Sequence, residues 1–243
     1  MELDGIVGIS FLGVKMDLSR VNYVIGADAV KVLHNSHVAV AGLGGVGSYV
    51  AEALARSGIG SLTLIDADVV EASNINRQLS ALQSTMGRYK TEIVAARIND
   101  INPQCQINLH SEFYRPGSFE QFFAGRIDFV ADAIDSTASK IDLLRECYQR
   151  NIPVISSMGT GNKLEPDKLL LADISKTHTC PLAKTVRKQL RQAGIEKGIM
   201  TVFSQENPVY ASREAVPGSM VFVPASAGLL MASYIVRKLI GKA

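Results

Sequence analysis

The stretch HVAVAGLGGVGS, residues 37–48, decides the fold class of this sequence. Its first residues are mostly apolar and predict a buried β-strand at 37–41, and the glycines that follow predict a turn that opens a helix through about Ser57. Residues 42–47 have the spacing G-x-G-x-x-G. In this pattern the first glycine permits the tight turn, the second lets backbone N–H groups approach phosphate oxygens, and the third allows close packing of the helix on the strand. The stretch therefore predicts a nucleotide-binding βαβ unit and leaves the nucleotide open.

Outward from this stretch, apolar runs alternate with segments of helical spacing. Further strands are predicted in SLTLIDAD, QINLH, RIDFVADAID and IPVISSMG, at residues 61–68, 106–110, 126–135 and 152–159. Helices are predicted near 26–35, 90–101, 118–124 and 137–150. The alternation indicates right-handed βαβ units, and hence an α/β fold with a doubly wound, mostly parallel, Rossmann-like sheet.

The chain after about residue 160 has a different pattern, with loops, a basic helix at 181–193 and a final helix near 226–240. We expect this part to pack on the sheet as a C-terminal extension. The length of 243 residues suits one or two domains, and we interpret the chain as one, 1–243, because its last third is expected to elaborate the sheet and not to form an independent domain. Its nucleotide-binding core is predicted at about 20–160 and its substrate-facing extension at about 161–243.

Composition indicates a cytoplasmic globular protein. Hydrophobic residues make up 47% and charged residues 20%, which argues against a disordered or fibrous chain. The three cysteines form no C-x-x-C pair, so neither a disulfide framework nor a zinc clamp is expected. Residues 219–236 carry no charge, but Pro224, Gly228 and three serines favour a buried strand-turn-helix over a membrane span.

Charged residues follow the predicted strands and add chemistry to the glycine turn. Asp66 ends the second strand, where a carboxylate can accept hydrogen bonds from ribose hydroxyls. Arg77 and Lys90 would add two cations near the same nucleotide, which suits a triphosphate attacked at its α-phosphorus better than a dinucleotide whose phosphates are only held. Asp135 ends a later strand at the same edge of the sheet. It could hold Mg²⁺, cap the helix that starts near Thr137, or do both.

Together these features resemble the ThiF-type adenylyltransferases, which are ubiquitin-activating-enzyme-like proteins. The match spans about residues 20–160 and includes N-x-N-R-Q at 74–78, the turn at 87–90 and D-A-I-D-S at 132–136. The resemblance implies that the chain binds ATP and Mg²⁺ and adenylates a carboxylate, with Asp135 as the metal ligand. The residues it implies at the nucleotide are Gly42, Gly44, Gly45, Gly47, Asp66, Asn74, Asn76, Arg77, Gln78, Lys90 and Asp135.

Within this superfamily the chain most resembles the tRNA threonylcarbamoyladenosine dehydratases. The shared features include EALARSGIG at 52–60, I-N-P at 101–103 and ADISKT at 172–177. The resemblance implies that the chain adenylates the carboxylate of the threonylcarbamoyl group on a tRNA adenosine and then cyclises it with net loss of water. Arg20 resembles an arginine that the family supplies from the partner subunit, which implies a homodimer. The implied catalytic residues are Arg20, Arg77, Lys90 and Asp135.

Three other functions stay open at this point. The first is activation of a ubiquitin-like or sulfur-carrier protein, although relatives that transfer sulfur usually carry two C-x-x-C pairs, which this sequence lacks. A sulfur-handling protein partner and a reactive Cys180 would suit that function, whereas Cys180 can equally be a capping or packing residue before Pro181. The others are a nicotinamide-dependent oxidoreductase, which Arg77 and Lys90 count against, and a non-catalytic nucleotide-binding regulator.

The C-terminal third is basic and predicts an anionic partner. Residues 171–243 contain 10 Lys and Arg against 4 Asp and Glu, whereas residues 1–170 contain 15 against 19. No acidic residue lies within 181–193, and four cations at i, i+3, i+4 and i+7 share one face of the predicted helix. We expect this face to bind the phosphate backbone of tRNA, the alternative being a solvated surface. Its cations are Lys184, Arg187, Lys188 and Arg191.

Overall fold

Seven strands form one sheet in the residues that the computed structural model describes, 15–209 and 217–242. Their order across the sheet is β3-β2-β1-β4-β5-β7-β6, and every neighbouring pair is parallel except β6 with β7. The predicted α/β fold with a mostly parallel sheet is therefore confirmed. The strands are β1 (His37–Ala41), β2 (Ser61–Ile65), β3 (Gln106–His110), β4 (Phe129–Asp132), β5 (Val154–Ser157), β6 (Leu169–Asp173) and β7 (Met200–Ser204).

Eight α-helices connect and flank these strands within the same described residues. They are α1 (Ser19–Ile25), α2 (Ala27–His34), α3 (Gly47–Arg56), α4 (Lys90–Ile101), α5 (Phe119–Phe122), α6 (Thr137–Gln149), α7 (Pro181–Gln192) and α8 (Phe222–Leu239). The prediction of a strand before the last helix is wrong, because α8 begins four residues earlier than predicted and no strand lies in residues 217–221. No helix in the described part of the chain is long and apolar enough to cross a bilayer.

The helices cover both faces of the sheet, as a doubly wound fold requires. Val38 and Val40 point to one face and pack in a core that includes residues of α3, α4 and α8. Ala39 and Ala41 point to the other face, toward residues of α5, α6 and α7. Because side chains alternate along a strand, β1 is buried on both sides and its sequence is apolar at nearly every position.

The part of the chain after residue 160 contributes two strands that the sequence pattern did not predict. Strand β7 pairs in parallel with β5, and β6 closes this side of the sheet as an antiparallel edge. Each is a short apolar run without the glycine turn that marks the end of β1, and such a run is not distinguished by its pattern alone from a segment of a buried helix. The predicted extension is therefore continuous with the central sheet.

The order of the strands places a crevice beside β1. Strands β2 and β3 lie on one side of β1, and β4 and all later strands lie on the other. In open α/β sheets, ligands bind at the carboxyl ends of the strands where the order reverses in this way. The glycine turn at 42–47 follows β1 at that point, so the turn lies where folds of this topology bind their ligands.

Candidate active site

A cavity of about 390 Å³ opens at the carboxyl ends of β1, β2 and β4. Its wall combines the glycine turn, the residues that end β2 and β4, and parts of the C-terminal third of the chain. Of the predicted nucleotide-binding residues, it brings together all except Gly47 and Asn76. The predicted residues on its wall are Gly42, Gly44, Gly45, Asp66, Asn74, Arg77, Gln78, Lys90 and Asp135.

The glycine turn has the close contacts that its spacing predicts. Gly42 has a φ angle of 88°, and a methyl group added there would lie 2.6 Å from the carbonyl oxygen of Ala133. A methyl group at Gly47 would collide with the carbonyl oxygen of Gly42, so Gly47 serves the packing of α3 on β1. Gly44 faces the cavity, which leaves backbone N–H groups at the start of α3 accessible to an anion.

Asp66 fixes the conformation of the turn from the end of β2. Its carboxylate accepts hydrogen bonds from the backbone N–H of Leu43 at 2.6 Å and from that of Asp68 at 2.8 Å. Burial raises the pKa of Asp66, although nearby Lys90 and these two backbone donors favour the charged form. Each carboxylate oxygen keeps a second lone pair, so the side chain can still accept a hydrogen bond from a ligand on the cavity side.

Lys90 is buried at the first position of α4 and reaches the cavity wall. Its ammonium donates a 2.7 Å hydrogen bond to the carboxylate of Asp68, which is half exposed. The sequence predicted Lys90 as a phosphate-binding cation and gave no sign that a carboxylate would pair with it. The pair means that a phosphate at this position must share Lys90 with Asp68 or displace it.

Arg77 is held over the glycine turn by its neighbours. Its Nη1 donates hydrogen bonds of 2.8 Å to the carbonyl oxygen of Ser73 and to the side-chain oxygen of Asn76. The amide nitrogen of Asn76 in turn donates to the carbonyl oxygen of Ser219 at 2.8 Å. Asn76 therefore uses both ends of its amide to aim Arg77. The Nε and Nη2 atoms of Arg77 find no acceptor within residues 15–209 and 217–242, so they are available to an oxyanion.

Asn74 and Gln78 line the cavity from the buried side of the same segment. The side chain of Asn74 accepts a hydrogen bond from the backbone N–H of Glu71 and donates one to Ser73 Oγ. The side-chain oxygen of Gln78 is buried and receives no hydrogen bond from the described residues. Asn74 thus shapes the segment, whereas Gln78 retains an unused acceptor at the cavity.

Asp135 projects from the loop after β4 and fits a magnesium ion. It is exposed and lines the cavity, and none of the described residues donates a hydrogen bond to its carboxylate. Mg²⁺ is commonly held by one or two carboxylates together with substrate phosphates and water. An exposed carboxylate on the wall that also holds the glycine turn and Lys90 is a suitable donor for that arrangement. The cap of α6 is Ser136 rather than Asp135.

Arg20 lies on α1 and is absent from the wall of this cavity. Leu18, directly before α1, packs near Gly58, which follows the far end of α3. Helix α3 starts at the glycine turn and runs away from it, so Arg20 is placed toward the opposite end of the molecule. Arg20 therefore lies away from the cavity that holds the other predicted residues.

The basic helix α7 has the predicted bounds to within one residue, but its four predicted cations differ in their exposure. Lys184, Lys188 and Arg191 are exposed. Arg187 is partly buried, and its Nη1 donates hydrogen bonds to the carbonyl and hydroxyl oxygens of Thr177. Its guanidinium thus holds the loop before α7, a contact that helical spacing alone does not reveal.

The cysteines pack inside the protein. Cys105 and Cys147 are buried, as the sequence predicted, and burial raises the pKa of the Cys105 thiol to about 11. Cys180 is the residue before α7 and is also buried, with its sulfur near Gly159. Its placement agrees with a packing residue.

Several cavity residues were not predicted from the sequence. Glu112, Phe113 and Tyr114 follow β3, and the register of β2 with β3 brings them beside Asp66. Their position after a strand could have identified them, because every parallel strand ends at this edge. The later residues Thr160, Ser219 and Pro224 reach the cavity only through the fold of the C-terminal third.

Comparison with known proteins agrees with this geometry. Residues 18–243 match the ThiF family. The chain belongs to the ThiF family. Among ThiF-family relatives, tRNA threonylcarbamoyladenosine dehydratase of Bacillus subtilis (strain 168) is 47% identical over 239 residues, covering 91% of this chain and 94% of that protein.

Solved structures within the ThiF family extend the comparison to ligands. The crystal structure of E. coli tRNA N6-threonylcarbamoyladenosine dehydratase, TcdA, in complex with AMP matches with a TM-score of 0.87 and 36% identity. The complex of the same protein with ATP matches with a TM-score of 0.86 and 35% identity. Each match covers 92% of this chain and 93% of the other. The predicted resemblance to these dehydratases is confirmed.

Proposed function

We propose that this chain is an ATP-dependent adenylating enzyme that dehydrates threonylcarbamoyladenosine in tRNA to its cyclic form. The observation that carries the proposal is the cavity itself, in which the glycine turn, Arg77, Lys90 and Asp135 face one space. That set suits a nucleoside triphosphate that reacts at its α-phosphorus. The full-length similarity to enzymes named for this activity supports the same substrate.

In the first step the substrate carboxylate attacks the α-phosphorus of ATP. A bond forms between the carboxylate oxygen and phosphorus, and the bond to pyrophosphate breaks, giving an acyl-adenylate. The backbone N–H groups of the glycine turn and the free nitrogens of Arg77 stabilise the charge on the phosphate oxygens. Lys90, on the wall of the same cavity, adds a third positive group.

Asp135 would hold Mg²⁺ in this reaction. When bound, the ion neutralises phosphate charge and helps to orient the triphosphate. The role of Asp135 is to supply one oxygen ligand from a loop that follows β4, at the same edge as the glycine turn.

In the second step an amide-type atom of the modified nucleoside attacks the activated carbonyl carbon. A ring closes, the bond between the carbonyl carbon and AMP breaks, and the amide-type group gives up one proton, so the carboxylate oxygen leaves with AMP and the substrate loses one water overall. The nucleophile belongs to the substrate, and the chain therefore needs no thiol for this step. The burial of Cys180 is compatible with that chemistry.

We infer that two copies of the chain share each site. Helix α1 carries Arg20 and buries none of its own residues, while Tyr23 and Val24 on it are 81% and 80% exposed. A second copy that covered α1 would remove these two apolar side chains from water. Such a dimer would let Arg20 reach the nucleotide of the partner subunit, since Arg20 lies away from the cavity of its own.

The tRNA is proposed to lie along α7. The helix begins beside Gly159, next to Thr160 on the cavity wall, so a substrate that reaches the cavity passes its N-terminal end. The free cations form a surface that we call the α7 stripe, which is made of Lys184, Lys188 and Arg191, with exposed Lys176 and Lys197 near its ends. Phosphates of RNA would bind it with strong salt dependence. A cytoplasmic location and a sulfur-handling protein partner stay predictions.

The decisive experiment is mass spectrometry of nucleosides from tRNA that carries threonylcarbamoyladenosine, incubated with the protein and ATP. We expect the modified nucleoside to lose one water, with one AMP and one pyrophosphate released for each product. Omission of ATP and the Lys90→Met variant serve as controls. If the nucleoside is unchanged while a carrier protein is recovered as its C-terminal adenylate, the chain activates a protein instead.

A further inference from the structure

A fully buried ion pair lies behind the cavity, outside the set of residues assigned to ATP. Lys140, on the first turn of α6, and Asp132, at the end of β4, are both 0% exposed. The ammonium donates hydrogen bonds to Asp132 at 2.6 Å, to the hydroxyl of Ser156 at 3.2 Å and to the carbonyl oxygen of Ser157 at 3.0 Å. We call Lys140, Asp132 and Ser156 the buried clamp.

The clamp is complete as a set of hydrogen bonds. Lys140 uses all three of its donors, and Asp132 accepts from Lys140, from the Ser156 hydroxyl and from the backbone N–H of Ile134. Buried ion pairs seldom stabilise a fold more than apolar residues of the same volume would. The stability of the fold alone therefore does not explain why a charged pair occupies this position. The position of the Lys140–Asp132 pair in the fold indicates another role.

The buried clamp lies at both ends of the loop of residues 133–136 and fixes each end. Asp132 precedes the loop and holds the backbone N–H of Ile134 at 3.1 Å. Lys140 follows it on α6, and its own backbone N–H donates to the carbonyl oxygen of Ser136 at 2.9 Å. One ion pair thus spans the whole loop, and the loop carries Asp135.

Asp135 depends on this anchoring because nothing else in the described residues holds its side chain. Its carboxylate is exposed and without a donor, so its direction is set by the backbone that bears it. The clamp also ties the loop to Ser156 and Ser157 at the end of β5, from which the chain continues to Thr160 on the cavity wall.

We propose that Lys140 is a positioning residue, which, through its ion pair with Asp132, aims Asp135 at the magnesium ion of bound Mg–ATP. This inference rests on the proposed function, since it takes Asp135 as the metal ligand. Residues that orient a metal ligand commonly change metal affinity about 10-fold to 100-fold when they are removed. Loss of the clamp should therefore weaken the contribution of Mg²⁺ to ATP binding more than ATP binding itself.

The test is calorimetric titration of the full-length protein with ATP, once with Mg²⁺ and once with EDTA, in the absence of tRNA. The ratio of the two affinities measures what the ion contributes. The clamp is removed as a unit with Asp132→Leu, Lys140→Met and Ser156→Ala, so that no charge is left buried without its partner. Glu52→Gln is the matched control, because it breaks the ion pairs of Glu52 with Arg56 and Arg97 away from the cavity.

We expect the triple variant to lower the affinity ratio about tenfold and the control to leave it unchanged. Adding Asp135→Asn to the triple variant should then change the ratio by less than about twofold, because the two changes remove one interaction. A triple variant that melts at a lower temperature but keeps the wild-type ratio would overturn the proposal, as would a full effect of Asp135→Asn in that background.

A second variant covers the case in which the triple variant does not fold. Ser156→Ala alone removes the two clamp hydrogen bonds of the Ser156 hydroxyl, with Lys140 and with Asp132, and keeps the ion pair, and it should lower the ratio in the same direction by a smaller factor. An unchanged ratio in this folded variant would contradict the positioning role. If Asp135→Asn has no effect on the ratio in the otherwise unaltered protein, the metal role proposed for Asp135 fails first, and the role of the clamp fails with it.

Discussion

The ammonium of Lys90 and the carboxylate of Asp68 lie 2.7 Å apart on the wall of the cavity. The lysine is buried, whereas the carboxylate is half exposed, so the pair presents its acidic member to a ligand more than its basic one. A triphosphate that binds here must contact Lys90 in place of Asp68. Asp68 therefore holds the ammonium of Lys90 in place and balances its charge when no phosphate is bound.

Replacement of Lys90 tests this competition. Lys90→Met should lower the rate of AMP formation by about 100-fold, because it removes a charged donor from the transferring phosphate and leaves Asp68 unpaired beside it. Adding Asp68→Asn should restore much of the ATP affinity, measured by calorimetry, without restoring the rate. Equal ATP affinities in the single and double variants would mean that Asp68 does not face the phosphates.

Mixing two inactive variants tests the shared site. Arg20→Ala and Asp135→Asn should each abolish adenylation alone, because each removes one residue from every site. After exchange of subunits in equal amounts, a dimer that holds one of each has one intact site, so about one quarter of the wild-type rate should return. The rate is measured as pyrophosphate release, and heterodimers are verified by native mass spectrometry. Verified heterodimers without activity would show that Arg20 does not act across the interface.

Charge reversal tests the α7 stripe. Changing its three helical cations to Glu should raise the KM for tRNA at least about tenfold and flatten its dependence on salt, while ATP affinity stays near that of the wild type. An unchanged salt slope in the folded variant would exclude α7 as the docking surface. The three substitutions are Lys184→Glu, Lys188→Glu and Arg191→Glu.

Two controls separate charge from structure in that experiment. Reversal of Lys31, Arg126 and Lys168 alters the net charge equally on other surfaces and should leave the KM for tRNA unchanged. Arg187→Ala should lower the melting temperature with little effect on the salt slope, because its loss leaves Thr177 without its donor.

His37 predicts a measurable effect of pH on stability. Its Nδ1 lies 3.0 Å from the carbonyl oxygen of Arg126 and its Nε2 lies 2.8 Å from Thr63 Oγ1, an arrangement that a neutral ring satisfies. Burial lowers the pKa of His37, although the carbonyl of Arg126 and the charge of Asp128 favour protonation. The unfolded chain therefore binds more protons below about pH 6.5, and the free energy of unfolding rises with pH up to that value.

The measurement is urea unfolding at several pH values between about 5 and 7, where unperturbed histidines titrate. His37→Gln removes this titration and should give a smaller rise in the free energy of unfolding than the wild type. The other histidines are present in both proteins, so they cancel in the difference. Equal slopes would mean that His37 keeps the same pKa in the folded and unfolded chains.

The sequence predicts the central βαβ units well because their periodicity is strong. The bounds of β1 and α4 agree with the predicted ones, since one has a continuous apolar run and the other a repeated buried face. Helix α1 had no such signal because none of its side chains is buried among the residues that the structure describes. Its residues Tyr23 and Val24 are exposed, so the helix lacks the repeated buried face that sequence periodicity detects.

The spacing of residues in the sequence does not predict which side chains form contacts across loops. Arg187 has the position of a surface cation on α7, but Thr179 has a φ angle of 62° and the chain around it brings Thr177 back to the helix. Lys140 likewise reads as a solvated residue near the start of α6 and is fully buried, because β4 and β5 supply its acceptors. The sequence shows that Arg187 and Lys140 are cations. Their hydrogen-bond partners could not be predicted from it, because those partners depend on the order of the strands.

Helix α8 closes the back of the glycine turn. Pro224 lies against the turn, since a methyl group at Gly45 would be 3.3 Å from the Cβ atom of Pro224. Further along, a methyl group at Gly228 would lie 2.5 Å from the carbonyl oxygen of Val46 and 2.9 Å from the Cβ atom of Tyr49, so the two helices touch at that glycine. This contact has a consequence for synthesis on the ribosome. The glycine turn is translated early, but its packing partner emerges more than 170 residues later, after every other part of the cavity wall. The cavity wall of a growing chain therefore stays incomplete until Pro224 has been translated and α8 has docked against the glycine turn.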